Sequence, residues 1–189
     1  MELNTKDLIL REYTLLDFEA VHSYGNDPEV LKYMLWGPNS ISDTKNFIMV
    51  SMLQSLQEKR DEIGLAIVEK TTGFCIGGVS LIIKKQDAEI GWILNRTSWG
   101  KGFAKQAALA LLEFGFNKLK LRRIEATCDT ENIRSYQLME RLGMKRMALE
   151  KGVRPSRVPN LPPSDQYRYE IDQQGYQKYL LGGQDGRTI

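Results

Sequence analysis

Trp99-Gly100-Lys101-Gly102-Phe103-Ala104 is the stretch on which the fold turns. Ahead of it runs an apolar, strand-like segment, Ile90-Gly91-Trp92-Ile93-Leu94, and behind it the spacing predicts a helix from Lys105 to Leu119. A strand that feeds a glycine turn that feeds a helix builds an anion site. The turn leaves backbone N–H groups unpaired, and the helix N-terminus adds partial positive charge. Glycine at 100 and 102 removes the side chains that would hold a phosphate away from the backbone. Arg96, Lys101 and Lys105 supply charge at the rim. The expected ligand therefore carries phosphates. Two common nucleotide loops are excluded. The P-loop pattern Gly-x-x-x-x-Gly-Lys-Ser/Thr occurs nowhere in the chain. The dinucleotide loop needs a third glycine where Lys105 stands, and it should open a βαβ unit rather than lie mid-chain behind strands that read as antiparallel.

Working outward, Leu8–Arg11 reads as a first strand. Asp17 opens a short helix that ends near Asn26-Asp27-Pro28, and Pro28 starts a further helical turn, Glu29 to Met34. Phe47, Val50, Met52 or Leu53, and Leu56 recur at helical spacing and predict an amphipathic helix from Asp43 to Arg60. Leu65–Val68 and Phe74–Ile83, joined through Thr71-Thr72-Gly73, predict a hairpin, and Glu89–Leu94 follows a turn at Gln86-Asp87. Past the 105–119 helix, Arg123–Cys128 is a strand reached by a helical crossover, hence parallel to the one before it. Asp129 or Thr130 is expected to cap a helix through Leu142, with Gly143 as its stop. Met144–Glu150 and Tyr167–Ile171 are the last strands. The order βααβββαβαββ predicts an α+β protein of three α/β layers, with a mixed twisted sheet of about seven strands flanked by helices. A single domain is expected over 1–181, with 182–189, rich in glycine, as a mobile C-terminal tail.

Composition excludes several classes. The 189 residues suffice for a real core, and 42% hydrophobic with 26% charged residues is ordinary for a globular protein. Its net charge of +2, from 26 basic and 24 acidic side chains, makes no electrostatic case for nucleic acid or a membrane surface. No apolar run approaches the ~18 residues of a membrane span. Met1–Asp7 is not a signal peptide, so a cytoplasmic protein is expected. Cys75 and Cys128 lie in apolar strand-like runs and are expected to be buried free thiols in a reducing compartment. The single histidine, His22, stands apart from both, and no Cys/His cluster suggests a metal.

The glycine loop resembles the acyl-CoA loop of the GNAT acetyltransferases, Gln/Arg-x-x-Gly-x-Gly/Ala, at every position but the first, where Trp99 stands. Trp-Gly-Lys-Gly-aromatic-Ala is typical of the RimJ/RimL branch, which acetylates the N-termini of ribosomal proteins. Leu10-Arg11, Asp17 and Asn26-Asp27-Pro28-Glu29-Val30 resemble the opening of that branch. The element order is that of the GNAT fold, so the resemblance covers nearly the whole chain. A second stretch, Asn132-Ile133-Arg134-Ser135 followed by Leu138-Met139-Glu140-Arg141-Leu142-Gly143-Met144, resembles the other GNAT motif. The resemblance implies acetyl-CoA as cosubstrate, bound by Trp99, Gly100, Lys101, Gly102, Phe103, Ala104 and Lys105. It implies that Asn132 binds the pantetheine arm and that Ser135 stabilises or protonates the departing thiolate. Many members carry a Tyr for that step where this chain has Met139, which cannot perform it. Backbone N–H groups of Trp92, Ile93 and Leu94, where the fourth strand splays from the fifth in this family, would polarise the attacked carbonyl.

An acetyl acceptor must present a neutral amine. At pH 7 an α-amine is roughly 10–15% neutral and a lysine roughly 0.04%, a difference of about 3.5 kcal/mol. Without a well-placed histidine the chain is better matched to an α-amine, deprotonated through water to Glu89 on the strand beside the loop. Acceptor specificity is expected from two walls. One is Tyr33-Met34-Leu35-Trp36-Gly37-Pro38, with Tyr33 and Trp36 as substrate contacts; the other is the Pro-rich segment Arg154–Pro163, whose two arginines suit an acidic acceptor. The leading expectation is transfer to a protein N-terminus. The alternatives are a small amine (polyamine, amino acid or antibiotic) and a non-catalytic acyl-CoA-binding module, which would need neither Ser135 nor Glu89.

Overall fold

A computed structural model of the chain describes residues 1–157 and 160–182. Eight strands form one sheet in the order β1-β2-β3-β4-β5-β6-β8-β7. They are β1 Glu2–Asn4, β2 Leu8–Arg11, β3 Glu62–Glu69, β4 Cys75–Lys84, β5 Asp87–Leu94, β6 Arg123–Asp129, β7 Lys145–Arg154 and β8 Ser164–Asp172. Every neighbouring pair is antiparallel except β5 with β6, which the crossover through α4 (Phe103–Asn117) makes parallel. The α+β, three-layer expectation holds. The strand count rises from about seven to eight because β1 pairs Glu2, Leu3 and Asn4 with Arg11, Leu10 and Ile9. A strand of three residues with one apolar side chain carries no period to read.

Alternation sorts the sheet into two faces. On one, Leu65, Ile67, Leu81, Ile90, Ile124 and Ala126 meet α4, α5 (Ile133–Arg141) and α6 (Gln173–Gly182) in the larger core. Helix α4 presents Ala107, Ala108, Leu111, Leu112 and Phe116 to it, all 0% exposed. Each such Leu or Phe contributes about 1.5–3 kcal/mol on burial. On the other face α1 (Phe18–Gly25), α2 (Pro28–Leu31) and α3 (Ile41–Ser55) cover Ala66 and Cys75, with Tyr13, Tyr24 and Ile48 between them. Those helices stop short of β6–β8, so that end of the face stays open. Trp99 packs against both cores.

Several boundaries differ from expectation. Helix α3 starts at Ile41 because Ser40 and Asp43 form a capping box, and it ends at Ser55 rather than Arg60. Its expected apolar face is largely outside: Phe47, Val50, Leu53 and Leu56 are exposed, while Met52 packs against the smaller core as expected, beside Ile48 and Thr44. The pattern of apolar residues was correct in period but not in phase. Helix α6 was not foreseen, and Gly182 is its last residue rather than part of a tail; 183–189 lie outside the described residues. Asn132, not Asp129 or Thr130, caps α5, its side chain accepting from Ser135 N. Cys75 and Cys128 are buried free thiols, as expected. No helix among the described residues is long and apolar enough to cross a membrane.

Candidate active site

The strands β5 and β6 are joined only at Asp87–Glu89 with Arg123–Glu125. Beyond that point β5 runs on to Leu94 against β4, and β6 runs on to Asp129 against β8, so a gap opens between them. Arg122 N donates to Gln86 O, and Asn95 N donates to Ile76 O. Strand alternation then turns the backbone of even-numbered residues of β5 toward β6 and that of odd-numbered residues toward β4. Trp92 and Leu94 therefore aim their N–H groups into the gap. Ile93, expected to join them, is turned the other way; its carbonyl lies against Gly77 on β4.

The glycine loop closes one end of the gap. Gly100 and Gly102 have φ of 76° and 78°, and a Cβ built on either meets nothing within 4 Å. Glycine is therefore demanded by the backbone angle and leaves an open cradle on the outside. Gly102 is the N-cap of α4, so no side chain caps the helix, and no acid sits in its first turn. The N–H groups of Phe103, Ala104 and Lys105 are left for a ligand. Lys101 and Arg96 are exposed beside them, and Arg96 stands 4.0 Å from Asp27, the N-cap of α2. Trp99 fixes the loop from below: its Nε1 donates to Leu94 O at 2.9 Å, and the Arg134 guanidinium sits 4.5 Å over its ring. This is a place and a chemistry for a pyrophosphate-bearing ligand.

Helix α5 closes the other side. Asn132 uses its carbonyl oxygen as the cap, while its two N–H donors have no partner among the described residues. Ser135 is half-buried, one turn in. Burial pushes the Cys128 thiol up to about 11, opposed by a hydrogen bond from Ser135 and by the charges of Arg154 and Arg146. Helix α5, with Ser135 in its first turn, lies against β6. Met139 is a core residue, 1% exposed.

Glu89 lies on the opposite face, at the root of the gap. One carboxylate oxygen accepts from Lys84 Nζ at 3.0 Å and the other from Thr127 Oγ1 at 3.2 Å. Around it the open sheet face is a paired network: Asp87 with Arg122 and Arg123, Glu125 with Arg123 and Arg168, Glu150 with Arg168, Glu170 with Arg123.

The two segments expected as acceptor walls are hydrogen-bonded to each other. Tyr33 is half-buried and Trp36 is 41% exposed. Arg154 Nη2 donates to Tyr33 O at 2.6 Å; Arg157 donates to Gly37 O at 2.9 Å and to Leu31 O at 2.6 Å. These arginines are engaged by the backbone, which corrects the expectation that they meet an acidic acceptor. Nothing in the sequence marks a contact across some 120 positions. No group of His, Cys, Asp and Glu is placed to hold a metal among the described residues.

The family model for the acetyltransferase (GNAT) domain matches residues 7–145. The uncharacterized N-acetyltransferase YnaD of Bacillus subtilis is 36% identical over 153 residues, covering 77% of this chain and 84% of that one. Among solved structures, an acetyltransferase of the GNAT family from Bacillus anthracis superposes with a TM-score of 0.80 at 31% identity, over 92% of this chain and 99% of that one. A spermidine N-acetyltransferase from Vibrio cholerae, solved with CoA and spermine, shares the fold at 22% identity and a TM-score of 0.76, over 92% and 99%.

Proposed function

The chain belongs to the GNAT acetyltransferase family, and from that premise we propose that it moves the acetyl group of acetyl-CoA onto the N-terminal α-amine of a protein, as in the RimJ/RimL branch. The phosphates of the cosubstrate rest on the Gly100–Lys105 backbone, with Asn132 donating to the pantetheine arm. In the gap, the amine nitrogen attacks the thioester carbonyl, whose oxygen is met by the N–H groups of Trp92 and Leu94. The C–N bond forms, the C–S bond breaks, and the sulfur leaves as a thiolate that Ser135 stabilises or protonates. The ammonium proton passes through water to Glu89. Two buried thiols suit a reducing cytoplasm.

One observation carries the choice of acceptor: Glu89 and the carboxylates around it are already paired. With both Glu89 carboxylate oxygens already engaged, by Lys84 and Thr127, the amine that gives up its proton most readily is favoured. The spermidine enzyme that shares the fold raises a polyamine as rival. A polycation needs carboxylates without partners, and the network on this face is neutralised by Arg122, Arg123 and Arg168. Competitive acetylation of a mixed peptide pool at pH 7, read by mass spectrometry, tests the choice. Free α-amines should outpace internal lysines on N-blocked peptides by a few hundredfold, from the ~3.5 kcal/mol difference in deprotonation. A polyamine or other small amine that outruns every peptide tenfold in kcat/KM overturns the protein acceptor. Acetyl-CoA binding without turnover on any amine overturns the transferase.

A further inference from the structure

We propose that Arg154 and Arg157 are positioning residues that hold the Leu31–Gly37 segment as the acceptor wall and thereby set which amines the enzyme accepts. The proposal rests on the transferase reading above. The segment has little else to hold it. Helix α2 is four residues long, and past the buried Val30 and Leu31 the chain carries Lys32, Leu35 and Trp36 on the outside. A helix end leaves carbonyls without partners, and a guanidinium suits them in both hydrogen bonding and charge. Arg157 forks over Leu31 O at the end of α2, which also accepts from Met34 N, and over Gly37 O in the loop beyond, so it closes the segment into a loop. Arg154 reaches the middle of that loop at Tyr33 O.

The same segment faces the rest of the site. Four residues before it Asp27, the N-cap of α2, lies 4.0 Å from Arg96. The Lys32 ammonium is held above its ordinary value by the Tyr33 hydroxyl and also feels Glu131, the residue before the α5 cap. Arg154, the last residue of β7, and Arg157 just beyond it thus tie the end of that strand to the Leu31–Gly37 segment.

The two arginines differ in a way that makes the inference testable. Arg154 uses one nitrogen on one carbonyl, which a lysine can imitate. Arg157 uses two nitrogens on two carbonyls, and an ammonium lacks that planar fork. The experiment measures acceptor KM and kcat by thiol release with the best peptide of the screen, acetyl-CoA Kd by calorimetry, and hydrogen exchange over 31–37. R157A should raise acceptor KM roughly tenfold or more, the scale on which small misplacements act, with acetyl-CoA Kd within twofold and faster exchange in the segment. R154A should do the same more weakly. R154K should restore the acceptor KM and R157K should not. Where R157A fails to fold, R157K carries the test. An unchanged acceptor KM in a folded Arg157 variant overturns the proposal, as does acetyl-CoA Kd rising in step with acceptor KM. A wild type that binds acetyl-CoA and acetylates nothing removes the transferase reading and the acceptor role together, and is told apart by the wild-type assay alone.

Discussion

The two sides of the gap are held in place by different kinds of interaction. The acyl-donor side is made of backbone: consecutive N–H groups of one turn, two glycines at positive φ, and a helix rooted by Phe103, Ala107, Leu111 and Phe116 in the larger core. The acceptor side is made of side chains: a four-residue helix and its trailing loop, fastened by guanidinium groups from the far end of the chain. A backbone-built site tolerates drift in its neighbours and keeps one chemistry. A side-chain-built wall can be reshaped by one substitution without touching that chemistry. The donor can thus stay constant while acceptors change.

The contrast breaks first if the donor side is not backbone-made. Gly102→Val should weaken acetyl-CoA binding by up to about a hundredfold, the loss of charge-assisted bonds worth roughly 1–3 kcal/mol. A Cβ there meets open space, so the fold bears only the strain of a left-handed angle, about 1–2 kcal/mol. Calorimetry beside a melting curve separates the two, and intact binding in the folded variant would place the phosphates elsewhere.

A second measurement sharpens the contrast within the donor side. Ser135→Ala should cut kcat about 10- to 100-fold with acetyl-CoA Kd nearly unchanged, since a group acting on a departing thiolate matters mainly in the transition state. Equal kcat at saturation would assign that role to water.

The smallest expected effect concerns the acceptor-side scaffold. Asp17 is 2% exposed and takes two hydrogen bonds from Arg11 and two from Thr14. Burial raises its pKa, yet the Arg11 and Thr14 bonds outweigh burial and hold it below the ordinary 3.8. A depressed pKa stabilises the fold above pH 3.8, and that contribution disappears as pH falls through the lower folded value. Asp17→Asn should therefore lower stability by about 2 kcal/mol near neutrality. Its urea midpoint and that of the wild type should converge in acid. Parallel curves down to pH 2 would remove the electrostatic account.

Legibility followed the same division. The glycine turn, the helix behind it and the helical crossover to β6 are set by neighbours along the chain, and spacing alone revealed them; Ser135 was indicated by the family resemblance. The cap of α5 was misassigned because Asp129, Thr130 and Asn132 are all competent caps; Asp129 instead accepts from Glu131 N and Ser164 Oγ. The phase of α3 was misread because its apolar residues outnumber the ones the sheet can cover. Which N–H groups of β5 face the gap required the register with β4, and the straps required residues 120 positions apart. Periodicity carries none of that.

The placement of the three tryptophans has an optical consequence. Trp36 stands on the proposed acceptor wall, Trp92 on the strand that borders the gap with its ring against the larger core, and Trp99 under the glycine loop, and the chain has no others. All of its indole fluorescence therefore originates around the cleft, with none contributed by the distant parts of the fold. Trp99, stacked under Arg134 and half-buried, senses an environment unlike that of the exposed Trp36. A donor titration and an acceptor titration should move different parts of one emission band, without a label, and a Trp→Phe change at each position in turn assigns the parts.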